Sequence, residues 1–120
     1  MPNTVTRFQQ LGAFVADWNG VTDTALRKFS QAGGRYLVVL LDQLGYPEGH
    51  DQTVDRNRAN IDGIIQAAAH YSIAVGGWFN GWAGGIQGTT ADQDVVRVAS
   101  IMHEHKLFGL VCLDLETTYQ

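Results

Sequence analysis

The sequence predicts an α/β fold of four βα-type units with parallel strands, the N-terminal half of a TIM-like barrel. Three observations predict it. Near-continuous apolar runs alternate with segments whose apolar residues recur at helical spacing, and such runs are strands buried on both faces, as in parallel sheets. The strand-to-strand spacing suits a barrel unit, since eight units take about 250 residues and this chain has 120. A polar residue closes each strand, at the edge where parallel α/β folds bind ligands.

The elements follow in order. Residues 11–16 (LGAFVA) form a short apolar strand that runs into Asp17, Trp18, Asn19 and Gly20. Val21, Ala25, Leu26, Phe29 and Ala32 mark a first helix, stopped by Gly33 and Gly34. Residues 35–41 (RYLVVLL) are rich in strand formers and end at Asp42. After a polar loop over 43–53, Val54, Ile61, Ile64, Ile65 and Ala68 mark a single second helix. Residues 72–79 (SIAVGGWF) are the third strand, ending at Asn80, and a glycine-rich loop over 81–88 follows. Thr90 and Gln93 read as a capping box, with Val95, Val98, Ala99 and Met102 as the apolar stripe of a third helix. Residues 107–115 are the fourth strand.

Half a closed sheet leaves two unpaired strand edges. Three forms are compatible with that: the N-terminal part of a longer polypeptide, a half-barrel pairing with another subunit, or a small open sheet. The composition is that of one globular domain, 45% hydrophobic and 17% charged. A net charge of −4 without a basic stripe argues against nucleic acid. No apolar run approaches the roughly 20 residues of a membrane span, and no signal peptide is recognisable. Cys112 is the single cysteine, so an intrachain disulfide is excluded.

The chemistry concentrates at the strand ends. Asp114 and Glu116 lie two positions apart near the tip of the fourth strand, so they share a face, about 6.6 Å apart along the backbone. Ionised carboxylates are rarely buried unpaired, and a carboxylate pair at that range is the equipment of glycoside hydrolysis. Glu116 is the candidate acid and Asp114 its orienting or charge-stabilising neighbour, since close like charges raise one pKa. Asp17 is a further catalytic candidate. Asp42, Trp78, Asn80 and Trp82 are substrate-binding candidates, the tryptophans because sugar rings present flat C–H faces. Strand alternation would put Val15 below Asp17, Leu40 below Asp42 and Trp78 below Asn80 on the inner face. Trp18 is expected in the core. The glycine-rich loop lacks the phosphate-binding pattern, and His103 and His105 do not have metal-ligand spacing on a helix. No cofactor or metal is therefore expected, although an all-oxygen Mg²⁺ or Ca²⁺ site at the carboxylates is a third reading.

Several of these segments resemble glycoside hydrolase family 25, the TIM-barrel-like lysozymes of phages and bacteria. The span from Val15 to Gly20 is similar to the family's first-strand D-V-S-x-W-Q-G region. Ala32 to Val39 resembles its second strand, and Asn60 through Trp78 its third. The Asp114-x-Glu116 pair resembles its fourth-strand motif. The resemblance implies a lysozyme-like barrel acting on peptidoglycan or a related cell-wall polysaccharide, catalytic or surviving as a carbohydrate-binding or structural module of a phage particle. One departure accompanies it: aligning Trp18, Asn19 and Gly20 with W-Q-G puts Phe14 at the first-strand aspartate. Family 18 chitinases also end this strand in D-x-E, but Gly109 and Cys112 occupy their first two aspartate positions.

Overall fold

The computed structural model describes residues 11–45, 49, 51–82, 89–107 and 111–116, with the backbone alone at Trp82 and across 111–116. The strands are β1 (Leu11–Val15), β2 (Gly34–Gln43), β3 (Ala74–Trp82) and β4 (Val111–Glu116). All three pairings are parallel, and the strand order is β1-β2-β3-β4. The helices are α1 (Asp23–Gln31), α2 (Gln52–Ala59), α3 (Ile61–Ala69) and α4 (Ala91–Glu104), and a 3-10 turn covers Trp18–Gly20.

Local chemistry sets the helix ends. The Thr22 hydroxyl accepts from the Ala25 amide, and α1 stops at Gly33, whose φ of 100° suits a residue without Cβ. Asp51 caps α2 by accepting from the Thr53 and Val54 amides. The capping box of α4 is complete: Thr90 Oγ1 accepts from the Gln93 amide, and Gln93 Oε1 accepts from the Thr90 amide. Thr90→Ala should therefore lower the unfolding free energy by about 1 kcal/mol in denaturant titration.

The predicted single second helix is in fact two. Asn60 breaks it, at φ −105° and ψ 7°, while its Nδ2 donates to the Arg56 carbonyl at 2.8 Å. A short amide side chain competing for backbone acceptors interrupts the helical ladder.

The sheet has one face under the helices. Leu37, Val39 and Leu41 of β2 and Val75 and Phe79 of β3 pack there against Leu26, Ile61, Ile64, Ala68 and Ile101. The opposite face carries a separate small cluster of Val38 and Ala74, with Tyr36 and Trp78 against it. Gly12 is required by that second cluster, because a Cβ there would fall within the Tyr36 ring.

Several features differ from the sequence reading. β3 runs on to Trp82, so Asn80 lies within the strand rather than after it. β4 starts at Val111, and Leu107 packs against the helix-side core from outside the strand. Val98, Ile101 and Met102 make the packed stripe of α4, whereas Val95 is 67% exposed. Val15 packs on the helix side, not below Asp17 on an inner face. Phe14, paired with Val38, takes the helix-free face instead.

Candidate functional site

The C-terminal edge of the parallel sheet collects the residues singled out above. Gln43 pairs in register with Asn80, Asn80 with Asp114, and Trp82 with Glu116. The backbone of β4 thus places the Asp114-x-Glu116 pair at this edge, beside the end of β3. The side chains of Asp114, Glu116 and Trp82 lie outside the described residues.

Asp17 is engaged locally. It precedes the 3-10 turn, and its Oδ1 accepts from the Asn19 amide at 3.0 Å. Its other oxygen is 3.7 Å from Arg56, an exposed pair. Trp18, the next residue, packs against the helix-side core as expected.

Asp42 is not above Leu40. The register slips by one residue between Leu40 and Asp42: Leu40 pairs with Trp78, and Asp42 pairs with Phe79. One additional residue in β2 transfers Asp42 to the helix side. There it is 4% exposed. Arg97 of α4 donates to both carboxylate oxygens, at 2.5 Å and 2.6 Å, and to the Gln43 carbonyl at 3.2 Å. Arg58 lies 3.7 Å away. A two-pronged guanidinium–carboxylate pair of this kind is strong and orientationally fixed. It clamps the end of β2 to α4, which answers for the burial of Asp42 without any ligand.

The helix-free face near this edge is aromatic. Trp78 and Phe14 have ring centroids 5.4 Å apart, tilted by 34°. Phe14 is 60% exposed. The indole nitrogen of Trp78 and the Oδ1 of Asn80 are both shielded from solvent and have no hydrogen-bond partner among the described residues. The two residues stand two positions apart on one strand, so they share that face. A buried donor and a buried acceptor left unsatisfied on one strand face are uncommon in a folded protein.

Two residues that hold the site had no signal in the sequence. Arg97 is one. Asn57 of α2 is the other, at 1% exposure. Its Nδ2 donates to the carbonyls of Ala16 and Leu40, each at 2.9 Å, and its Oδ1 accepts from the Trp18 amide at 3.2 Å. It joins the ends of β1 and β2 and the turn bearing Asp17. No group of three or more acidic, histidine or cysteine side chains able to hold a metal occurs among the described residues. No helix among them is long and apolar enough to cross a membrane. No protein-family model, curated protein or solved structure matches this chain.

Proposed function

We propose that the sheet is an arc of a βα barrel, with its helix-free face as the inner wall, and that the domain acts on a cell-wall polysaccharide such as peptidoglycan. One observation carries the reading: the register that sets Asp114 beside Asn80 and Glu116 beside Trp82 at the C-terminal edge of a parallel sheet. That is the edge at which barrels of this kind do their chemistry. Consecutive strand order and a helix layer on one face support the barrel. Parallel strands from a C-terminal half or from another subunit would complete the wall at β1 and β4.

In this reading Glu116 protonates the departing glycosidic oxygen and Asp114 stabilises positive charge on the sugar. Asp17 and Asp42 drop out of the chemistry, because their carboxylates are taken up by a turn and by Arg97. Glu116→Gln keeps shape and removes the transferable proton. It should cost about 10²- to 10⁴-fold in glycan turnover while leaving binding and folding intact. Reducing-end release from peptidoglycan by the full chain measures it, and an unchanged rate would refute the assignment.

A second reading, a non-catalytic carbohydrate-binding or structural module of a phage particle, is favoured by Phe14. It stands at the helix-free position where the family resemblance has an aspartate. Binding of the glycan without any cleavage by the wild type would select that reading.

A further inference from the structure

We propose that Phe14 and Trp78 form the aromatic floor of a subsite for one pyranose ring, with Trp78 Nε1 and Asn80 Oδ1 addressing a ring hydroxyl. The proposal rests on the glycan reading above and assigns Phe14 a binding role. Phe14 is a large apolar side chain in solvent, 60% exposed, although it lies on the inner side of the sheet. Its ring is 5.4 Å from the half-buried Trp78 ring at a tilt of 34°, so the two rings are in contact and Phe14 presents the solvent-facing surface of the pair. A pyranose offers the complementary shape, a flat patch of polarised C–H groups meeting the negative face of a ring. Its hydroxyls, at the rim of that patch, are both donors and acceptors.

The orphaned atoms supply the polar half. Trp78 Nε1 can only donate and Asn80 Oδ1 can only accept. One hydroxyl accepts from the indole and donates to the amide oxygen, satisfying both at once. Both atoms are shielded from solvent in the unliganded fold, so binding requires a side-chain movement, and the ring with most room to adjust is that of Phe14. That ring sits on an edge strand, paired only to β2 among the described strands, and more than half of it faces solvent. An aliphatic ligand would satisfy the rings but leave the two polar atoms unpaired. An anion would gain nothing from Asn80 Oδ1.

Isothermal titration of the full chain with a soluble β-1,4-linked N-acetylglucosamine tetramer and with peptidoglycan fragments tests the assignment, with tryptophan fluorescence followed in parallel. Phe14→Ala should raise Kd about tenfold and Phe14→Trp should preserve it, an aromatic contact being worth that much. Asn80→Leu should weaken binding further. The thermal midpoint of Phe14→Ala should stay at the wild-type value, because the side chain is mostly in water. Wild-type binding that is indifferent to Phe14→Ala overturns the subsite and leaves the glycan reading standing. Absence of binding to either probe by the wild type overturns both.

Discussion

Asp42→Ala is expected to lower the unfolding free energy by about 3–5 kcal/mol, the cost of leaving a buried charge without its partner. The group that loses this carboxylate is Arg97, whose side chain is 13% exposed. It would lose both carboxylate contacts and keep only the Gln43 carbonyl among the bonds described above. Arg58, at 3.7 Å, also loses an opposite charge and adds repulsion. Asp42→Asn should fall nearly as far, since an amide cannot neutralise the guanidinium. The double variant Asp42→Leu with Arg97→Met removes both charges together and should recover much of the loss, because a well-packed apolar pair often replaces a buried ion pair at little cost. Equilibrium denaturation of wild type, Asp42→Leu, Arg97→Met and the double variant completes a double-mutant cycle. A single-variant loss under 1 kcal/mol would mean that the pair is open to water. If instead Asp42 served a ligand at the helix-free face, its removal would spare stability and abolish binding, the reverse of the expected pattern.

Asn57→Leu is expected to cost about as much, through hydrogen bonding rather than charge. Three backbone groups lose their partner at once: the carbonyls of Ala16 and Leu40 and the amide of Trp18. Each buried group left unsatisfied costs about 1–3 kcal/mol, less whatever water can reach. The effect should also be local. Hydrogen exchange should accelerate across β1 and the Trp18–Gly20 turn, while the centre of β3 follows only the global loss. Asn57→Asp gives a sharper test. Its carboxylate can accept from Trp18 but would face two carbonyl oxygens, so burial and those dipoles raise its folded-state pKa above that in the unfolded chain. The variant is then most stable below the ordinary carboxylate range near pH 4 and loses stability as pH rises through the raised value. A flat difference from wild type between pH 3 and pH 8 would show that residue 57 is not enclosed.

The parallel order of four strands was legible because parallel strands carry a crude signal. Residues 37–41 are five consecutive aliphatics, and nothing amphipathic produces such a run. The caps were legible too: Thr90 with Gln93 is a chemical pattern three residues long. The facing of Asp42 was hidden by the same aliphatic run. Parity is counted from alternation, and a strand apolar on both sides offers none to reveal an inserted residue between Leu40 and Asp42. Asn57 was hidden because its neighbours Asp55, Arg56 and Arg58 make α2 look like a solvated helix. A single inward amide does not alter that pattern. Arg97 was hidden for a related reason: its partner is 55 positions away and reaches it only through the fold. The backbone position of Asp114 and Glu116 at the C-terminal edge of the sheet was legible because the apolar run before them marks the strand they end.

The strand order has a consequence for how the chain reaches this state. Every strand hydrogen-bonds to the strand just before or after it in sequence, so no pairing waits for a distant segment to be synthesised. Each closure spans a single βα crossover, which favours stepwise accretion between sequence neighbours over a search for more distant partners. Most of the buried helix-side core lies within β2, α3 and β3, where Leu37, Val39, Leu41, Ile61, Ile64, Val75 and Phe79 meet. That stretch can therefore serve as a nucleus on which β1 and β4 add from either side. Growth by accretion has no intrinsic stopping point: each new βα unit meets the same template as the last.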